Sequence, residues 1–399
     1  MVTLKYIHYL LLIRMYGTDI TCEKKFQERF YRLKEHPNTD ETFLLIKDYV
    51  VSVETNVMNQ SIIFSNSNPL NVDKSTRLFI REFNAYCLEF LVRMASALAD
   101  KKTSSKAHVY LGLTYELGLF GITKNPKNSF NYYIVSAKQN NKFGTYRLAQ
   151  AYEKQKRTKD GYTKALYFYR CAAKLGCIYG MHTYGSILLR GDLNSNKEFD
   201  TGLFYLKLAS RKANTSYPYP FYDLGQVYES SNSCSDIDAD DDYAFKMYER
   251  GCNLGCPNSL YRLGKCFELG QLFKTPNMKI AIEYYKRAAD KGHMDAQYLM
   301  SKFFFTGLDG VLSVNYNQSF TYALLAAARG HPEGAYSAGE FFEKGYGMKK
   351  NPLLALWWYT ISSSLGYKNA ETRMNKLRNS VNIDNIGPSR QYKSLCGFC

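Results

Sequence analysis

The stretch IEYYKRAADKGHMDAQYLMSKFF, residues 282–304, carries no catalytic motif, yet its small residues keep fixed intervals: Ala288 and Ala289 precede Gly292, and Ala296 follows it by four. The same intervals recur along the chain. A segment of the form small-x-x-x-Leu-Gly-x-x-aromatic starts at Ala107, Gly144, Gly180, Pro220, Ser259, Ala296 and Gly334, with substitutions at single positions. Successive starts lie 37, 36, 40, 39, 37 and 38 residues apart. Self-similarity at such a period marks stacked supersecondary units rather than one globular core.

Each of these helices is followed by a second with its own spacing, clearest in KALYFYRCAAKLG (164–176), YAFKMYERGCNLG (243–255) and IAIEYYKRAADKG (280–292). The closing glycines Gly176, Gly255, Gly292, Gly330 and Gly366 each stand four residues before the next small anchor. A glycine there predicts the left-handed residue that ends a helix, a role Asn140 also suits. Ala213 breaks the rule, because NTSYPYP inserts three residues before the next start. Gly112, Gly185, Gly225, Gly264 and Gly339 sit inside the first helices. Glycine in a helix interior costs up to about 1 kcal/mol relative to alanine, so its repeated use implies that two backbones approach closely. The expected fold is all-α, a superhelical α–α solenoid of about seven repeats over residues 104–375.

The rest of the chain reads more simply. Residues 1–103 contain two long helical patterns, around TFLLIKDYVVSVE and TRLFIREFNAYCLEFLVRMASALADK, and form an N-terminal helical region and cap. Residues 376–399 show little helical pattern and are expected to be a flexible tail. Among 399 residues, 45% are hydrophobic and 15% aromatic, which excludes wholesale disorder. No window holds the roughly 20 apolar residues of a membrane span, and IHYLLLI (7–13) is expected to be a core helix. Ten cysteines without a secretory signal read as buried thiols in a reducing compartment. The net charge of +16 favours anionic partners but is spread out, with no run of five basic residues.

Catalytic signatures are absent: no phosphate-binding loop, dinucleotide fingerprint or nucleophile elbow occurs. His293 and His331 each follow a helix-ending glycine, which makes them structural loop residues. DIDADDDYAF (236–245) lacks the glycine and the final glutamate of a calcium loop and reads as a solvated connection. Trp357 and Trp358 are adjacent, so one indole is expected in the core and the other towards the surface. No enzyme activity, cofactor, metal or nucleic-acid partner is expected. One terminal feature remains: Cys396 stands four residues from the end, as in a prenylation box, with Arg390 and Lys393 just upstream.

The repeat spacing resembles Sel-one-like repeats, relatives of the tetratricopeptide repeats. Within them, YRLAQAYEK, KALYFYRCAAKLG, GLFYLKLASRKANTSYPYPFYDLGQVYE, SLYRLGKCFELGQLFKTPNMKIAIEYYKRAADKG and KFFFTGLDGVLSVNYNQSFTYALLAAARG resemble the fungal chitin synthase regulators. That resemblance implies a non-catalytic activator whose repeats bind a chitin synthase and localise it at sites of wall growth such as the septum, on the cytoplasmic face of the membrane. It also implies lipidation of Cys396. The other reading is a general repeat adaptor for a different membrane-associated complex, such as one for protein degradation.

Overall fold

The computed structural model of the chain describes residues 20–57, 74–97, 100–155, 159–229, 238–272 and 274–380. Among these residues there are helices and no strands. Three helices come first: α1 (Ile20–Glu35), α2 (Thr39–Val57) and α3 (Lys74–Ser96). Seven antiparallel hairpins follow. Their first helices are α4 (Lys101–Leu117), α6 (Lys142–Gln155), α8 (Ile178–Arg190), α10 (Pro220–Tyr228), α12 (Pro257–Leu269), α14 (Met294–Thr306) and α16 (Pro332–Lys344). Their second helices are α5 (Pro126–Lys138), α7 (Lys159–Lys174), α9 (Phe199–Arg211), α11 (Asp241–Asn253), α13 (Met278–Asp290), α15 (Tyr316–Ala328) and α17 (Pro352–Ser364). A final helix, α18 (Lys368–Ser380), closes the described chain. The expected all-α solenoid of helical hairpins is what forms. The chain divides into two compact units, with the break between Lys212 and Ala213, where the three-residue insertion lies.

Local chemistry sets each hairpin. The turn glycines Gly176, Gly255, Gly292, Gly330 and Gly366 have φ between +79° and +93°, and Asn140 takes the same region at +57°. Five of the seven second helices start at a side-chain cap placed fifteen residues before that turn: Asn125, Asp240, Asn277, Asn315 and Asn351 each accept from a backbone N–H of the first turn.

The glycines inside the first helices mark where the paired helix presses closest. A Cβ built on Gly112 would lie 2.3 Å from Cε1 of Tyr133, and Cβ atoms on Gly225, Gly264 and Gly339 would each lie 2.6 Å from the same atom of Tyr248, Tyr285 and Tyr359. At Gly185 the obstacle is backbone, the Gly202 carbonyl oxygen at 2.9 Å. Between successive repeats the small anchors do the same work, since a Cβ on Gly180 or Gly334 would lie 2.8 Å from Cβ of Ala172 or Ala326.

Each unit has a cap of its own. In the first, α1–α3 cover the outer side of the first hairpin, burying Phe30, Phe43, Tyr49, Phe83 and Phe90 together with Phe120. In the second, α18 packs Ala370 and Leu377 onto the last hairpin. That helix continues to Ser380, past the expected tail start at 376, and the remainder of the tail lies outside the described residues, as does the 7–13 helix.

The glycine–tyrosine contact gives a direct test. Gly264→Ser is expected to cost about 1–3 kcal/mol by overpacking against Tyr285. In a Tyr285→Ala background, which recreates the Ser301 and Ala323 pair of the sixth repeat, the same substitution should cost clearly less. Urea unfolding of the four proteins measures the coupling, and an equal cost in both backgrounds would show that the two side chains do not meet.

Candidate functional site

Five repeats share a hydrogen bond from a buried tyrosine to a glutamate, the bond itself fully buried in the fourth repeat and part-buried in the others. The tyrosine seven residues before the turn donates to a glutamate on the first helix: Tyr133 to Glu116 (2.7 Å), Tyr169 to Glu153 (2.5 Å), Tyr248 to Glu229 (2.7 Å), Tyr285 to Glu268, and Tyr359 to Glu343 (2.7 Å). Burial, and then the carboxylate, push the phenols of Tyr169, Tyr248, Tyr285 and Tyr359 well up, so each remains a donor. Arginines from the next helix along the stack, Arg262 of α12 and Arg373 of α18, complete two of these bonds. Arg262 clasps Glu229, which is 2% exposed, and Arg373 holds both oxygens of Glu343 at 2.7 and 2.8 Å. A buried carboxylate needs such partners to remain charged.

Above this layer, in the second unit, the first helices present a row of aromatic rings. Tyr222, Tyr261, Tyr298 and Tyr336 occupy the same position of α10, α12, α14 and α16, two residues after the small anchor. Three of them stand beside the residue that opens the next first helix. His293 stacks on Tyr261 at 4.2 Å, His331 on Tyr298 at 4.5 Å, and Tyr367 meets Tyr336 edge-on at 5.1 Å. The histidines are helix caps: Nδ1 of His293 accepts from the Ala296 N–H and Nδ1 of His331 from that of Gly334. His331 also reaches Asp295 through Nε2 at 3.4 Å, and this contact holds the Asp295 carboxyl below its usual range.

Charged and polar side chains flank the rings. Lys265 lies 5.1 Å over Tyr261 and Lys302 5.7 Å over Tyr298, while Gln226 donates to the Tyr222 hydroxyl at 2.9 Å. In the first unit Tyr146 holds the equivalent position and accepts from Gln150 at 3.0 Å. Such a surface offers stacking, hydrogen bonds and charges of both signs, which suits recognition of another protein. Among the described residues no group of three His, Cys, Asp or Glu is placed to hold a metal ion. Burial raises the thiols of Cys252 to about 12 and Cys266 to about 11, so they are not nucleophiles at neutral pH.

The residues singled out from the sequence divide accordingly. Gly112, Gly185, Gly225, Gly264 and Gly339 lie inside first helices against the second, and the five turn glycines lie between hairpins. Trp358 is buried and Trp357 half-buried. Cys396 and residues 230–237 lie outside the described residues. Sequence reasoning misses the glutamates and the tyrosine row. The glutamates do carry a signal: Glu falls four residues after the interior small residue wherever Tyr precedes the turn by seven.

The fold has known relatives. The Sel1 repeat family matches residues 105–141, 143–177, 222–256, 257–293, 295–331 and 332–367, just over half of the chain. Chitin synthase regulatory factor 3 of Schizosaccharomyces pombe is 23% identical over 93% of this chain and 39% of its own length. A chitin synthase regulator of Saccharomyces cerevisiae is 27% identical over 77% of this chain and 44% of its own. The chain therefore spans less than half the length of these relatives. Among solved structures, a Sel1 repeat protein from Oxalobacter formigenes aligns over 88% of this chain and 93% of its own with a TM-score of 0.52 and 18% identity, a likeness of fold.

The histidine caps imply a pH dependence. Burial lowers the His293 pKa from its ordinary 6.5, opposed by Asp295 and reinforced by Lys265 and His331. The unfolded chain therefore takes up the proton at a higher pH than the folded one, so this contribution to stability is complete above 6.5 and is lost as pH falls below it. His293→Asn keeps a capping acceptor without the titration. Between about pH 7.5 and about pH 5 the variant should lose less thermal stability than the parent; parallel losses would exclude His293 as the source.

Proposed function

The chain belongs to the Sel1 repeat family, and from that premise we propose that it is a non-catalytic regulator that binds a chitin synthase and holds it at sites of wall or septum synthesis. Its curated relatives are named as chitin synthase regulators, which supports a regulatory role. The observation that carries the reading is the row Tyr222, Tyr261, Tyr298 and Tyr336, with its stacked histidines and flanking lysines, because it offers a partner a prepared surface and a substrate no reactive group. The glycine-pinned hairpins hold that row in register. An activator of this kind acts by presenting or steadying the synthase, not by performing chemistry.

No described helix is long and apolar enough to cross a membrane. Contact with a membrane enzyme then falls to the repeats, with prenylation of Cys396 as an added anchor on the cytoplasmic face. One lipid chain gives only marginal, reversible attachment, so the bound synthase would supply the second hold.

Capture of the tagged chain from detergent-solubilised fungal membranes, followed by mass spectrometry, tests both parts. A chitin synthase should be enriched over an untagged control, and the C-terminal peptide should carry the mass of a prenyl group on Cys396. Enrichment without any synthase would overturn the function, and an unmodified Cys396 in membrane-derived protein would remove the anchor.

A further inference from the structure

The second helices of the first unit carry an uneven charge. α5, α7 and α9 together hold eight Lys or Arg and two Asp. The second helices of the other unit, α11, α13, α15 and α17, hold five of each sign. The excess is ordered by the repeat. Two residues before the turn position stand Lys138, Lys174 and Arg211, where the later repeats have Asn253, Asp290, Ala328 and Ser364. Six residues before it stand Ile134, Arg170 and Lys207. Lys138, Arg170, Lys174, Arg211 and Lys212 are all exposed. The ion pair of Lys164 with Asp160 lies towards the opposite end of α7.

Aromatic rings occupy the same stripe. Nine residues before the turn, Tyr167 is 62% exposed and Phe204 is 60% exposed, among the most exposed large apolar side chains of the described residues. Phe168 and Tyr205 support them edge-on from within the helix layer, at 5.2 and 5.3 Å. Val135 and Leu175 add apolar surface beside the cations. The first helices of this unit approach one another more closely than the second helices do, so the stripe is on the splayed outer side, away from the first-helix face that carries Tyr146.

Helix dipoles do not explain the pattern. Cations in a last turn favour any helix, as Arg250 and Arg287 do for α11 and α13, yet none of the four later second helices has one two residues before the turn, and Arg170 stands further back in its helix. Cations of one sign combined with outward rings match an anionic bilayer, where Lys and Arg reach headgroup phosphates and aromatic rings settle at headgroup depth.

We propose that the outer face of α5, α7 and α9, centred on Lys138, Tyr167, Arg170, Lys174, Phe204 and Arg211, is a docking surface for an anionic lipid bilayer. It is independent of synthase binding and of the tail, and it leaves the first-helix face of the same unit turned away from the lipid.

The test uses the full chain carrying Cys396→Ser and vesicle flotation without any synthase. Phosphatidylcholine vesicles with about 25 mol% phosphatidylserine should carry the protein at low salt and release it as salt rises, and pure phosphatidylcholine should not. Lys138→Glu/Lys174→Glu/Arg211→Glu should weaken flotation at least about tenfold, since each surface cation is worth several-fold. Tyr167→Ser/Phe204→Ser should weaken it less steeply, and Lys279→Glu/Lys286→Glu on α13 should leave it unchanged. Circular dichroism establishes that each variant is folded, and the salt and lipid dependence of the parent stands whether or not the triple variant folds. Equal binding to neutral vesicles, no binding to anionic ones, an unaffected triple variant, or capture of RNA in preference to anionic vesicles at the same salt would each overturn the proposal.

Discussion

The contact between a glycine of one helix and a tyrosine ring of the next is the constraint from which the repeat architecture follows. Without a Cβ on the first helix, the ring lies against bare backbone, and its hydroxyl reaches past to a glutamate one turn on. The ring supplies buried apolar area, and the hydroxyl satisfies a carboxylate that would otherwise be costly to bury. Where an arginine of the following hairpin or of the closing helix joins that carboxylate, as in Arg262 with Glu229 and Arg373 with Glu343, the bond inside one hairpin is tied to its neighbour. Register of one hairpin on the next is thus fixed by hydrogen bonds as well as by packing.

The second repeat keeps the tyrosine–glutamate bond with Ala149 in place of the glycine, and the two repeats that lack the bond show that its parts depend on one another. In the third, Leu206 and Leu189 stand where the others have tyrosine and glutamate, and Gly202 lets the backbones meet instead. In the sixth, Ser301 replaces the glycine and Ala323 the tyrosine, and Ser319 donates to the Ser301 carbonyl at 2.7 Å. Phe305 then takes the glutamate position and gathers Tyr316 and Tyr346, each 5.4 Å away. Glutamate disappears whenever tyrosine does, as expected if the carboxylate is tolerated only with its donor.

Much of the fold was legible because glycine is informative: a turn needing positive φ and a helix face needing bare backbone both write Gly at a fixed place, and the period follows. The second-helix caps were equally written, as Asn or Asp fifteen residues before the turn, but they emerge only once the turn is fixed. The site was less legible. A tyrosine two residues after the anchor could face core or solvent, and in the structure all four are half-buried, with His293 and His331 stacked on Tyr261 and Tyr298. Histidine is also an uncommon helix cap, so these two read from sequence as mere loop residues. The outer basic stripe was hidden by averaging, since a diffuse net charge of +16 gives no hint that one hairpin layer is biased and another balanced.

Regulation of a synthase by this chain is, in the proposed reading, a matter of surfaces held in register, with recognition on the first helices of the second unit. Lys265 and Lys302 lie over Tyr261 and Tyr298 of that row, whose rings also stack on the histidine caps. The most direct measurement is the affinity of the purified chain for a detergent-solubilised chitin synthase, compared with that of Lys265→Glu/Lys302→Glu. If recognition lies on that row, the double variant melts like the parent and binds at least about tenfold more weakly, as reversal of contact charges does at a protein interface. Unchanged affinity in the folded double variant would contradict it.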